Sequence, residues 1–298
     1  MTVPFIGPEA ERHLDWLALT DALVAGHARP RAEIGDTFLY RDPDTMLSRA
    51  AWIDGLGSLV KTATIFPGNV DGPAINGAAS LFSDADGTLA AMIDFHLLTK
   101  WKTAGDSLLA ARRLARPDSA AILIVGSGTV AASLRQAYGA AFPGARFAVW
   151  SRDPARAAAF AAAHDASHAP DLAAAVRAAD IVTCATMTTA PLIRGAWLRP
   201  GQHLDLIGAY RPDMREADDA AITAGRLFVD SRETTLDHIG ELKIPIAAGV
   251  LRPTDVVADY YRMDAVRRRS ADEITVFKNG GGAHLDLMVA RYILDATA

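Results

Sequence analysis

The nine residues Leu123-Ile-Val-Gly-Ser-Gly-Thr-Val-Ala131 decide how this 298-residue chain is read. An apolar run, "AAILIV" (120–125), ends in Gly126-Ser127-Gly128, and a helix-like segment from Thr129 to Phe142 follows at once. Glycine at 126 permits a tight turn. Glycine at 128 lets the backbone approach a pyrophosphate, and small Ala131 lets strand and helix pack closely. The diphosphate of a dinucleotide would sit on the helix N-terminus, where free N–H groups and the helix dipole favour an anion. Gly126, Ser127, Gly128, Thr129 and Val130 are therefore candidate cofactor contacts.

Downstream, "RFAVWSR" (146–152), "DIVTCAT" (180–186), "HLDLIGAY" (203–210) and "GRLFVDS" (225–231) read as apolar strands. They alternate with helical segments, "DPARAAAFAAAH" (153–164) with an early proline and "DLAAAVRAA" (171–179) with Asp171 as N-cap. Apolar strands alternating with helices predict a doubly wound parallel sheet covered on both faces. The end of the second strand selects the cofactor. Ser151 and Arg152 stand there, with Asp153 one place later. A hydroxyl and a guanidinium suit a 2′-phosphate, so NADP(H) is expected to be preferred, with NAD(H) also admitted. Cys184, Ala185 and Thr186 end the next strand and are expected to line the cofactor crevice. Cys184 reads as a packed small residue, since no base-bearing motif accompanies it.

Upstream, Glu9 to Ala25 predicts a helix. "DTFLY" (36–40), "TMLSRAAWI" (45–53) and "GSLVKTATIF" (57–66) predict strands, "FPGNVDGPAINGAA" (66–79) a loop, and "ASLFSDADGTLAAMIDF" (79–95) two strands joined at Asp84–Gly87. Thr103 to Ala115 predicts a helix, with Thr103 as N-cap and Asp106 three residues on, resembling a capping box. After Leu236 the pattern loosens until "DEITVFKNGGGAHLDLMVARYILDA" (272–296) gives a strand, a glycine turn and a closing helix. The expected architecture is α/β: a Rossmann-type doubly wound sheet over 113–277, inserted in a second α+β domain made of 1–112 and 278–298.

Composition bounds the partners. There are 30 Lys and Arg against 35 Asp and Glu, a net charge of −5, and no basic block, so no nucleic acid is expected. No apolar run approaches the roughly 20 residues that span a bilayer, so no membrane is expected either. One cysteine allows no intrachain disulfide and suits a reducing compartment. The opening "MTVPFIGPEAERHLDW" lacks a basic stretch followed by an apolar core, so no signal peptide is expected and a cytoplasmic location is. No metal centre is expected.

"VKTATIFPGN" (60–69), "KTAGDSLLAARRLARPD" (102–118), "ILIVGSGTVA" (122–131), "ADIVTCAT" (179–186), "LRPGQHLDLIGAYRPDMREAD" (198–218), "VDSRE" (229–233) and "DEITVFKNGGGAHLD" (272–286) follow one another in a telling order. In that order the chain resembles the ornithine cyclodeaminase/mu-crystallin family over nearly its whole length from about residue 50. The resemblance implies a homodimer whose outer domain carries dimerisation and substrate binding, with the cofactor on the Rossmann domain. It also implies an NAD(P)-dependent reductase of small imine or amino-acid substrates, closest to the Δ1-pyrroline-2-carboxylate and ketimine reductase branch. Two other activities remain open: an ornithine cyclodeaminase or amino-acid dehydrogenase, and an NADP-dependent ligand-binding protein of mu-crystallin type.

Lys61 matches the family's active-site lysine in K-x-x-x-x-x-P-x-N, which makes Lys61 a catalytic candidate and Asn69 a substrate-binding one. Independently, a lysine in an apolar strand is not buried without a task; it can hold a carboxylate or assist proton transfer. Lys102 stands where the family usually has the arginine of R-T-A-A, which grips the substrate carboxylate. Lysine keeps the charge and loses the two-pronged fork. At that helix start Thr103 would touch the cofactor phosphates. Arg31, Arg41 and Arg49 are candidates for a further substrate arginine, and Arg49, nearest the Lys61 strand, is chosen. Tyr210 replaces the catalytic aspartate of the cyclodeaminases. With an ordinary pKa near 10 it cannot be a carboxylate base, which argues against ammonia loss from ornithine. It is either a proton or hydrogen-bond donor or a structural tyrosine. Gly208, Lys278, Gly280 and Asp286 fall on the cofactor side, Asp286 having a plain N-cap as its other reading. Phe95, His96 and Trp101 are expected to shape substrate choice, with Trp101 also read as core.

Overall fold

The computed structural model describes residues 3–297. The chain forms two compact units, one reaching to Lys102 and resuming at Gly281, the other Thr103–Gly280. The sequence places these junctions at 112/113 and 277/278 instead.

The first unit is a six-stranded sheet: β1 (Phe5–Ile6), β2 (Glu33–Arg41), β3 (Asp44–Ile53), β4 (Gly57–Ile65), β5 (Ile75–Phe82) and β6 (Leu89–Asp94). Their order across the sheet is β1-β6-β5-β4-β3-β2, antiparallel except for β1 beside β6. The helix α1 (Trp16–His27) and the closing helix Ala283–Ala296 belong to this unit, the latter packed on β3 and β4. The predicted helix over 9–25 resolves into a 3-10 turn, Pro8–His13, and then α1. The break falls there because the Asp15 side chain accepts the Ala18 N–H at 2.8 Å and starts a new helix.

The helix α2 (Phe95–Leu114) corrects a sequence expectation. It starts directly at the end of β6, where Asp94 Oδ1 accepts the Leu97 N–H at 2.8 Å. Thr103 is thus the ninth helical residue and not an N-cap, and Lys102 is not at a helix mouth. Leu97, Leu98 and Trp101 supply the helical phase that propensity around Thr103 obscures; all three are buried. Trp101 stacks on Trp16 with centroids 3.8 Å apart, so it is core.

The second unit holds an eight-stranded parallel sheet: β7 (Ala121–Val125), β8 (Arg146–Trp150), β9 (Ser167–His168), β10 (Ile181–Cys184), β11 (His203–Leu206), β12 (Arg226–Val229), β13 (Val256–Ala258) and β14 (Thr275–Lys278). Helices α3 (Thr129–Ala141), α4 (Pro154–Ala163) and α5 (Leu172–Ala178) connect strands of this sheet. The order is β13-β12-β14-β11-β10-β7-β8-β9. The chain winds outward from β7 through β8 and β9, then returns to β10 on β7's other side. The switch point therefore lies between β7 and β10, where open α/β sheets bind ligands. Asp153 and Asp171 cap α4 and α5. His164 and His168, spaced H-x-x-x-H, straddle the end of α4 and β9 instead of sharing a helix face. Among the described residues no group of three or more His, Cys, Asp and Glu is placed to hold a metal ion. No described helix is long and apolar enough to cross a membrane.

Candidate functional site

The strand register of the first unit assembles a cluster of cations. Arg49 on β3 pairs with Lys61 on β4, and Lys61 with Ala79 on β5. Lys61 Nζ donates to Asp286 Oδ1 at 2.9 Å and to Thr99 Oγ1 at 2.8 Å, and lies 4.7 Å from the Phe95 ring centre. Asp286 is the fourth residue of the closing helix, whose N-cap is Gly282. Its side chain is fully buried, and its Oδ2 has no hydrogen-bond partner. Arg49 Nη1 donates to the Gly281 carbonyl at 3.0 Å, and Lys102 Nζ donates to the same oxygen at 3.1 Å. Arg49 also grips the Asp36 carboxylate with two nitrogens, at 2.8 and 3.3 Å.

Three cations thus surround one buried carboxylate. Burial works to raise the Asp286 pKa, but Lys61, Lys102 and Arg49 win and hold it below the carboxylate range. Burial draws Lys61 down to about 8, against the pull of Asp286 and with help from Lys102 and Arg49. Burial likewise keeps nearby His284 neutral, with a pKa of about 3. A cavity of about 170 Å³ opens beside the cluster, lined by Leu47, Arg49, Lys61, Ala63, Ile65, Ile75 and Phe95.

The second unit fits a dinucleotide at its glycine turn. Gly126 has φ +122°, and a Cβ there would lie 2.7 Å from the Ala185 carbonyl oxygen. Only glycine serves that turn. At Gly128 a Cβ would meet nothing within 4 Å, so the backbone faces open space. Gly128 is the N-cap of α3 with no side-chain bond, which leaves the first-turn N–H groups of Thr129, Val130 and Ala131 for an anion.

Beside this turn, the loops after β10 and β11 are tied by a buried acid that the sequence reading misses. Glu216 Oε1 accepts the Thr186 N–H at 2.7 Å and the Thr186 hydroxyl at 2.8 Å; Oε2 accepts the Gly208 N–H at 2.7 Å. Gly208 has no room for a side chain: a Cβ would lie 2.2 Å from the Thr186 backbone. Glu241 in turn accepts the backbone N–H groups of Glu216 and Ala217 at 2.8 and 3.0 Å. Burial and the Glu241 charge push Glu216 up to about 8, opposed by Lys278. A second missed acid, Asp205 in β11, accepts from Ser107, Tyr138 and Thr183 at 3.1, 2.9 and 2.6 Å. A carboxylate inside the apolar strand "HLDL" was the available signal for it.

The sequence model of the ornithine cyclodeaminase/mu-crystallin family matches residues 57–298. The chain belongs to this family. A Δ1-pyrroline-2-carboxylate reductase of Paracoccus denitrificans is 53% identical over 296 residues, 96% of this chain and 94% of that protein. The ketimine reductase mu-crystallin of Mus musculus is 31% identical, covering 79% and 75%. Among solved structures, Thermococcus litoralis Δ1-pyrroline-2-carboxylate reductase in complex with NADH and L-proline shares the fold, with a TM-score of 0.89 over 99% of this chain and 97% of that one, at 22% identity.

The remaining family candidates are dispersed. Asn69 is exposed in the loop after β4, where its Nδ2 donates to the Pro73 carbonyl. Tyr210 is 58% exposed, beside the Arg211–Asp213 ion pair. Lys278 does not reach out from β14 as its place before a glycine run suggests. It is fully buried, donates to the Leu206 carbonyl at 3.0 Å, and offsets the charge of Glu216 and Glu241. Cys184 is buried in the sheet core, its thiol pushed up by burial, so its side chain lines no crevice. Gly280 packs where a Cβ would meet Thr235 and Asp230. Thr103 turns its carbonyl to Asn279 Nδ2 at 3.2 Å from within α2. Asp286, read from sequence as lying on the cofactor side or as a plain N-cap, is not the N-cap, which is Gly282; it lies in the cation cluster, paired with Lys61. Arg41 pairs with Asp44 on an exposed hairpin, His96 is exposed, and Phe95 lines the cavity.

Proposed function

We propose that this chain reduces a small ketimine carboxylate, such as Δ1-pyrroline-2-carboxylate, to the amino acid with NADPH. The observation that carries this reading is the cation cluster around Asp286 at one end of a small cavity. The 53% identical reductase supports it. The reduced nicotinamide, when bound, supplies the hydride. The chain supplies the rest. Arg49 and Lys102 hold the substrate carboxylate as neighbouring positive charges, the Arg49 fork itself being fixed by Asp36. Lys61 Nζ, drawn toward neutrality, delivers a proton to the imine nitrogen. Asp286 Oδ1 orients Lys61, and its unpartnered Oδ2 accepts the N–H of the protonated imine. The direct test is NADPH oxidation with a panel of cyclic and open ketimine carboxylates. No oxidation with any of them sinks the reading.

The NADP(H) preference rests on Ser151 and Arg152 after β8. The competing acid, Asp153, is already engaged: its Oδ1 accepts the N–H groups of Ala155 and Arg156 at 2.9 and 3.2 Å. Arg152 is exposed. Arg152→Ala is expected to lower the ratio of kcat/KM for NADPH over NADH by about tenfold, the worth of one charge-assisted hydrogen bond. A native preference for NADH, or an unchanged ratio, removes the assignment.

The homodimer rests on β2, the sheet's edge strand. Phe38, Leu39 and Tyr40 stand 47%, 61% and 76% exposed there, an edge that a second copy would cover. Sedimentation velocity on the native chain and on Leu39→Lys is expected to give a dimer and a shifted, smaller species. A native monomer refutes it.

A further inference from the structure

Helix α2 turns one stripe toward the cation cluster. Phe95, Thr99 and Lys102 stand at i, i+4 and i+7 of that helix, which puts them on one face. The Phe95 ring centre lies 4.7 Å from Lys61 Nζ and the Thr99 hydroxyl oxygen 2.8 Å from it, while Lys102 Nζ donates to the Gly281 carbonyl. Phe95 lines the cavity and Lys102 brings charge; Thr99, half-buried, brings a hydroxyl. A hydroxyl inside a helix commonly turns back to a carbonyl three or four residues earlier. Thr20 does so to Leu17 at 2.8 Å, and Ser133 to Thr129 at 3.0 Å. Among the described residues Thr99 makes no such bond, and its oxygen accepts from Lys61.

A lysine ammonium carries three N–H donors on a flexible stem. Lys61 Nζ gives one to Asp286 Oδ1 at 2.9 Å and one to Thr99 Oγ1 at 2.8 Å, and Lys61 itself lines the cavity. We infer that Thr99 is a positioning residue for Lys61: its hydroxyl and Asp286 take two of the three N–H groups, and the third is the one presented to the imine nitrogen. The inference rests on the ketimine reductase reading. One hydrogen bond would leave Nζ free to swing about its partner on that stem. Two acceptors from different elements, α2 and the closing helix, hold it at one place, and proton transfer is steeply sensitive to such placement. The hydroxyl also favours the charged amine, because a hydrogen bond to an ion is stronger than one to the neutral group. It thereby works against the burial that draws the proton off Lys61.

Thr99→Val keeps the branched shape and removes the hydroxyl; Thr99→Ser keeps the hydroxyl. With NADPH and the imine, Thr99→Val should lower kcat by about tenfold or more and leave KM within about threefold of native, while Thr99→Ser stays within about threefold in both. NMR of carbon-13-labelled lysine reads the same contact without turnover, the Lys61 signal being assigned by its loss in Lys61→Met. Lys61 should titrate near pH 8 in the native chain and in Thr99→Ser, and about half a unit lower or more in Thr99→Val. Should Thr99→Val lower Tm, Thr99→Ala, which a helix accepts readily, carries the same comparison. An unchanged kcat in the hydroxyl-free variants overturns the inference, whether KM rises or not. An unmoved Lys61 midpoint overturns it as well. So does an equal loss in Thr99→Val and Thr99→Ser, which would make the methyl the working group. A chain that reduces no ketimine but shows the moved midpoint keeps Thr99 as the partner that places Lys61 and loses the reductase reading.

Discussion

Lys61→Met is expected to lower kcat/KM for the imine by about 10³-fold, the middle of the range for removing a general acid. The same change strips Asp286 of the nearest of the cations around it. Asp286 is fully buried, and an ion pair broken on one side typically costs about 3–5 kcal/mol. Loss of activity could then reflect loss of fold, so the double variant Lys61→Met/Asp286→Asn decides. It removes both charges, and its Tm should recover most of what the single change lost while activity stays at the lower level. Recovery of activity in the double variant would mean that Lys61 only neutralises Asp286. A pH profile adds an independent reading. Lys61 carries its proton below about pH 8, so kcat/KM should be level near pH 7 and fall as pH rises through 8. Asp286 is held low and stays ionised across that range. Stability should run the other way. The folded pKa of about 8 lies below the unfolded value near 10.4, so the unfolded chain binds more protons between them and stability rises over that interval. Lys61→Arg should keep part of the activity and lose the fall above pH 8.

What the sequence disclosed and what it hid differ in kind. The parallel sheet and its glycine turn were legible because each strand is apolar throughout and Gly126 answers a local backbone demand at φ +122°. Lys61 and Arg49 stood out as cations in strand patterns, and antiparallel pairing made them neighbours. The start of α2 was hidden, because Asp94 reads as the end of a strand and Thr103 as an attractive cap. Only the tertiary burial of Leu97, Leu98 and Trp101 extends the helix back to Phe95. The partnership of Lys61 with Asp286 spans 225 residues, and no local pattern reports such a contact. Glu216 was equally silent. In "DMREAD" it looks like one surface charge among several, and its burial depends on Glu241 and Lys278 from distant segments.

Glu216→Ala should weaken cofactor binding at least tenfold, read as quenching or transfer in the chain's own tryptophan fluorescence and not as turnover. The carboxylate joins the Thr186 and Gly208 loops at the carboxyl ends of two adjacent parallel strands, where α/β sheets take their ligand. Removing it leaves the Thr186 N–H and hydroxyl without this acceptor and Gly208 N–H with only its longer, 3.2 Å bond to the Cys184 carbonyl, and hydrogen bonds to a charged group are worth about 1.5–3 kcal/mol each. Glu216→Gln offers one oxygen where two are used, so it can keep the Thr186 tie or the Gly208 tie but not both. Its Kd should fall between native and alanine. At saturating cofactor, kcat should stay within about threefold of native, since the residue touches no reacting atom. A residue that merely supported the fold would lower Tm in proportion and leave the graded order of Kd unexplained. If all three proteins bind NADPH alike while Tm falls, the positioning role is lost. The acid's own titration sharpens the test. Burial and Glu241 raise Glu216 to about 8, so below that pH it gains a proton that faces only donors. Binding of NADH, which lacks the titrating 2′-phosphate, should therefore tighten between pH 6.5 and 8.5 in the native chain, and Glu216→Gln should flatten that slope.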